Sequence, residues 1–136
     1  MQLNGVVQRK LALLDVQVMR LKQHLGSVTL EAFVDDWVLR SMAERALQVS
    51  VEIVIDVAER IIALQGGGPV ATAAEGIERL VATGVLTSAE PFKNMVRFRN
   101  LIVHEYEVID PTVLYDIAVN RLDDFRLFRD QIDRLC

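Results

Sequence analysis

Apolar residues recur at Val7, Leu11, Leu14, Val18, Leu21 and Leu25, steps of four and three that trace one face of an amphipathic helix. Gly26 and Ser27 stop that helix. A second begins after Thr29 and runs to about Leu64, with a buried stripe of Leu47, Val51, Val54, Ala58 and Ile61 and with Trp37 and Val38 earlier on it. Its length invites a bend. The run Gly66-Gly67-Gly68-Pro69 breaks the pattern, because glycines are costly in a helix and proline ends one. Thr72 followed by Glu75 has the spacing of a capping box and opens a short third helix over Ile77, Leu80 and Val81, ended by Gly84. Thr87 and Glu90 repeat that spacing ahead of a fourth helix through Phe92, Met95, Val96 and Val103. Asp110-Pro111 supplies an N-cap and a first-turn proline for a last helix. Its stripe is Leu114, Ile117, Phe125, Phe128, Ile132 and Leu135, with Arg121 as a charged exception. No segment alternates like a strand. The pattern predicts an all-α, up-and-down bundle of four to five antiparallel helices, one domain over residues 1–136.

Composition narrows the picture. Hydrophobic residues at 51% and charged residues at 25% describe a folded domain and not a disordered tail. Aromatics are scarce at 6%, which favours helix packing over a β-sandwich. No apolar run approaches the ~20 residues of a membrane span, and the N-terminus lacks the pattern of a signal peptide. The single cysteine, Cys136, has no internal partner, and no Cys or His cluster has zinc spacing. The expectation is a cytoplasmic protein without metal or cofactor. The net charge of -4 argues mildly against binding nucleic acid over the whole surface, but the stretch from Lys93 to His104 is locally basic.

Most polar residues have the spacing of solvated helix faces. The segment Arg97-Phe98-Arg99-Asn100-Leu101-Ile102-Val103-His104-Glu105-Tyr106 differs, gathering two arginines, an amide, a histidine and a tyrosine around apolar neighbours. Asn100 and His104 lie four apart and share a helix face. Arg99 and His104 lie five apart, roughly 140° around an ideal helix, and so line adjoining faces of one groove. Tyr106 is expected at or beyond the helix end. A guanidinium clamps phosphate with charge-assisted hydrogen bonds, and an imidazole moves protons near neutral pH. Together they suit cleavage of a phosphodiester by the RNA 2′-hydroxyl, with His104 as general base or acid and Arg99 stabilising charge at phosphorus. One histidine cannot easily take one proton and give another in a single step. A two-fold dimer presenting two copies of His104 to one cleft would supply the pair. On residue chemistry alone, an arginine and a histidine near a helix end are more often a cap and a salt-bridge partner.

The arrangement Arg99, four residues, His104, one residue, Tyr106 resembles the Arg-x-x-x-x-His-x-Tyr signature of HepT-type HEPN proteins, and Asn100 after the arginine fits the same pattern. The run from Met95 to Asn100, then Val103-His104-Glu105-Tyr106 and Ile109-Asp110, also resembles that family, as do Glu44-Arg45-Ala46-Leu47-Gln48 and the Ile53–Ile62 region. The similarity spans nearly the whole chain. It implies a homodimeric, metal-independent RNA endonuclease toxin with Arg99 and His104 in a cleft at the dimer interface and Asn100 in support. It further implies a minimal nucleotidyltransferase antitoxin that transfers AMP to Tyr106. AMP would add bulk and negative charge beside Arg99 and His104 and so repel an RNA phosphate.

Other features have plainer readings. His24 is placed to favour the end of the first helix. Asp35, Asp36 and Glu44 sit where carboxylates meet a helix N-terminus or solvent. Trp37 is expected as a core or interface anchor, and Gly66-Gly67-Gly68 lacks the lysine and hydroxyl of a phosphate loop. The competing functional reading is a non-catalytic helical module that docks a nucleotidyltransferase or binds RNA or a nucleotide. A third is a purely structural dimerisation bundle.

Overall fold

The computed structural model describes Leu3, residues 5–104 and residues 109–135, except for the side chain of His104. Tyr106, the terminal Cys136 and the His104 imidazole therefore lie outside the described residues. Seven helices follow one another among those described: α1 Gly5–Leu25, α2 Leu30–Asp35, α3 Trp37–Leu64, α4 Ala73–Ala82, α5 Phe92–His104, α6 Pro111–Asn120 and α7 Asp123–Asp133. The all-α class is as expected. The larger number of elements arises because two of the expected helices are each divided.

The first division falls at Asp36. Thr29 caps α2, its hydroxyl accepting the Ala32 N–H. Asp36 then takes an extended conformation and caps α3, its carboxylate accepting the N–H groups of Val38 (3.0 Å) and Leu39 (3.1 Å). A carboxylate that bonds its own downstream amides competes with helix continuation, and here it wins. Trp37 and Val38 form the first turn of α3 itself, Trp37 at the edge of the face that carries its buried stripe and Val38 off it, and Trp37 is 67% exposed. That corrects their placement on the buried stripe. The second division falls at Arg121 and Leu122, where the aspartates Asp123 and Asp124 favour a new helix N-terminus.

The stripe of α3 is buried as the periodicity predicts: Leu47, Val51, Val54, Ala58 and Ile61 are all in the core. Every other helix packs on α3. The buried faces of α1 (Val7, Leu11, Leu14, Leu21, Leu25) and α4 (Ile77, Leu80) are those expected. Thr72 caps α4 by accepting the Glu75 N–H, while the Glu75 carboxylate reaches Ala71 N–H at 2.8 Å. Gly84 closes α4 with φ +81°, a conformation that a side chain would strain.

Thr87 does not cap α5. Its hydroxyl and its N–H both meet the buried Gln131 amide at 3.1 Å, a two-way clamp from α7 onto the α4–α5 connection. Glu90 takes over the helix start, its carboxylate accepting the Asn94 N–H at 3.2 Å. Phe92, Met95 and Val96 then point into the core, with Phe92 edge-on to Phe128 of α7 at 5.6 Å between ring centroids. Val103, expected on that face, is 42% exposed. At the far side, Tyr115 of α6 donates its hydroxyl to the Val28 carbonyl at 2.6 Å and packs against Phe33, tying α6 to α2.

Truncation of Phe128 should open a cavity under α5 that its neighbours cannot refill. Phe128→Ala is expected to lower stability by about 3–5 kcal/mol in urea unfolding. A loss below about 1 kcal/mol would show that the Phe92–Phe128 contact does not hold α5 in place.

Candidate functional site

The helix α5 carries the basic segment, and the structure separates its two arginines. Arg97 is committed: its guanidinium meets the Glu90 carboxylate at 3.2 Å and also the Asn94 side-chain oxygen. Lys93, a turn earlier, is held by Glu78 of α4 at 2.6 Å. Arg99 has no such tie. Among the described residues it forms no ion pair and no hydrogen bond, and its Nε is buried without a partner. A buried donor without a partner costs roughly 1–3 kcal/mol.

Arg99 is half-buried, one turn along from the core residues Met95 and Val96, and its position is therefore set by packing at its base. Asn100 follows on the exposed side. The described helix runs to His104, so Asn100 and His104 do share a face of one continuous helix, as their spacing predicts. Exposed Leu101 and Val103 lie between them in sequence, an apolar surface beside the expected chemistry.

On the inward face of α5, which carries Met95 and Phe98, lies a pocket of about 240 Å³ that sequence reasoning did not foresee. Its apolar floor includes Leu47 and Val51 of α3, Met95 and Phe98 of α5, and Phe125 of α7. Asn94, Arg121 and Asp124 bring polar groups to it. The only sequence sign of this pocket was Arg121, the charge that interrupts an otherwise apolar stripe. Burial pushes the Asp124 carboxyl above its ordinary range; nearby Arg121 opposes the shift, and Asp123 adds to it. No described ion pair joins Arg121 to Asp124. Elsewhere, among the described residues, no three His, Cys, Asp or Glu side chains gather as a metal site would require, and no helix is long and apolar enough to cross a membrane.

The family described as ribonuclease HepT-like matches residues 14–132. The chain is 26% identical over 132 residues to the mRNA nuclease HepT of Shewanella oneidensis, an alignment covering 96% of this chain and 98% of that protein. Its fold is similar to that of the tri-AMPylated HEPN toxin of Shewanella oneidensis, solved in complex with MNT antitoxin. The TM-score is 0.88 at 25% identity, covering 97% of this chain and 99% of the other. A toxin–antitoxin structure with AMP-PNP gives 0.86 at 25% identity, with 96% and 99% covered.

The raised carboxyl of Asp124 has a stability consequence. Below its ordinary value of 3.8 the group is protonated in both folded and unfolded chains and costs nothing extra. As pH rises through that value the unfolded chain ionises first, and above the raised folded value the full cost is present. Asp124→Asn is therefore expected to melt at least as high as the wild type at pH 7, with the advantage shrinking as pH falls toward 3.8. A variant that melts lower at pH 7 would make Asp124 a structural residue.

Proposed function

The chain belongs to the ribonuclease HepT-like family, and from that premise we propose that it is an RNA endonuclease toxin whose cleft is built on Arg99 and His104. The observation that carries the assignment of the site is Arg99 itself: a half-buried guanidinium, unpaired among the described residues, on the helix that ends at His104. Its neighbour Arg97 is exposed, pairs with Glu90 and points from a different face of the helix.

The chemistry follows from these groups. The 2′-hydroxyl of the substrate attacks the adjacent phosphorus and the bond from phosphorus to the 5′-oxygen breaks, leaving a 2′,3′-cyclic phosphate and a 5′-hydroxyl. A histidine takes the proton from the 2′-hydroxyl and another gives one to the leaving oxygen. Arg99 holds the non-bridging oxygens as charge develops on them, and Asn100 supports the same face. The step balances without a metal ion. Two proton-transfer groups in one cleft call for a two-fold homodimer that pairs His104 with its copy, and the exposed Leu101 and Val103 beside it supply an apolar surface suited to such a contact.

The HEPN toxin of similar fold is tri-AMPylated and solved with an MNT antitoxin. By the same logic, the partner of this chain is a minimal nucleotidyltransferase that places AMP on Tyr106. The added phosphate brings negative charge into the space where Arg99 must grip RNA, which is sufficient to silence the cleft.

Purified protein should cut total RNA in EDTA, and its induction should arrest growth. Arg99→Ala and His104→Ala are each expected to lower cleavage roughly 100-fold or more, while Arg99→Ala unfolds no earlier than the wild type. Intact mass after incubation with the nucleotidyltransferase and ATP should show AMP on the wild type and none on Tyr106→Phe. Wild-type protein that is harmless and inert without its partner would end the nuclease reading. In mixed dimers, one wild-type subunit paired with one His104→Ala subunit should be inactive. Half or more of the wild-type activity in that species would mean that one histidine suffices.

A further inference from the structure

The pocket under α5 is lined by two opposite charges that no described ion pair joins, although Arg121 still acts on Asp124. Arg121 and Asp124 lie three residues apart at the α6–α7 corner, and both face the same apolar recess. Asn94 stands on the α5 wall, its side-chain oxygen already occupied by Arg97, which leaves an N–H donor free to face the pocket. At about 240 Å³ the recess is smaller than a drug-sized site, of order 300 Å³ or more, and suits a single flat ring system. Phe98 and Phe125 offer such a ring apolar aromatic walls. Phe98 is the chain neighbour of Arg99, and Met95, another wall, lies one turn before it on the same helix face. The recess and Arg99 thus share the same two turns of α5, a separation that one nucleotide spans.

We propose that the pocket receives a guanine base of the RNA next to the scissile phosphate, read by Asp124 and Arg121. The inference rests on the ribonuclease reading for its role in cleavage, but not for the binding itself. A carboxylate accepts two parallel hydrogen bonds, and guanine presents two adjacent donors, its ring N1–H and its exocyclic amine. The neighbouring edge of the same base carries the O6 and N7 acceptors that a guanidinium grips in a fork. Donors and acceptors thus follow round the base in the order in which Asp124 and Arg121 follow round the corner. Adenine turns an amino group toward the arginine and an acceptor, its N1, toward the carboxylate. Uracil offers a single ring N–H between two carbonyls, and cytosine an acceptor where the carboxylate needs a donor. Burial disfavours the charge of Asp124, which adds to the geometry in marking it as a candidate ligand group.

Two measurements on the full chain separate this proposal from the nuclease reading. Calorimetry with GMP and AMP should show GMP bound roughly 10-fold tighter or more, and Asp124→Asn should reduce that preference to within about threefold. Cleavage of two oligonucleotides, identical except for inosine in place of one guanosine at the cut site, should be slowed by the missing amine in the wild type. It should be nearly indifferent to that amine in Asp124→Asn. A wild type that cuts both oligonucleotides equally and binds GMP no better than AMP overturns the pocket and leaves the nuclease intact. Sensitivity to inosine that persists undiminished in a folded Asp124→Asn overturns it equally. GMP selectivity that depends on Asp124, in a protein that cuts no RNA, upholds the pocket and defeats the nuclease reading instead.

Discussion

Burial of the apolar stripe on α3 is the constraint from which the rest of the molecule follows. Leu47, Val51, Val54, Ala58 and Ile61 lie on successive turns of one 28-residue helix, and all six other described helices are laid against it. Each fully buried aliphatic side chain of this kind contributes about 1.5–3 kcal/mol relative to exposure, and none of it requires directional bonding. Direction comes from the polar devices at the ends. Asp36 decides where α3 starts, Gln131 clamps the approach to α5, and Tyr115 ties α6 to α2. With α3 as the common backing, the base of α5 is held by Phe92, Met95 and Val96. The rotation of α5 about its own axis is then no longer free, and Arg99 must emerge where it does.

This explains which parts of the fold were legible in the chain. The 3.6-residue periodicity reports burial directly, so the stripes of α1, α3 and α4, the helix start after Thr29 and the caps Thr72 and Asp110 could be read from spacing alone. The divisions at Asp36 and at Arg121–Leu122 could not, because an aspartate inside a helical pattern is compatible with a solvated face or with a cap. Only packing decides between them. Trp37 stands at the edge of the stripe's face on the first turn of α3, so its exposure overturns the core half of its expected role as a core or interface anchor and leaves the interface half open. Thr87 was misread as well. Its local spacing to Glu90 is that of a capping box, and a residue 44 positions away claims it instead.

The site divides along the same line. Arg99, Asn100 and His104 lie on one helix, so their mutual register was fixed by sequence spacing, and the structure adds the pairing that distinguishes Arg99 from Arg97. The pocket draws on α3, α5 and the α6–α7 corner, elements far apart in the chain, and no local pattern could have assembled it.

Two polar groups are held where burial opposes them. Arg99 buries an Nε with no partner among the described residues, and Asp124 holds a carboxylate where burial disfavours its charge. Both lie beside Met95, one through the helix register of α5 and the other across the pocket. Local conflicts of this kind, in a chain whose remaining elements agree with one another from cap to core, are where a fold accommodates a ligand. An arginine suited to phosphate and a carboxylate suited to a base edge are together the two halves of a nucleotide, and the frame that strains to hold them is the frame that α3 makes rigid.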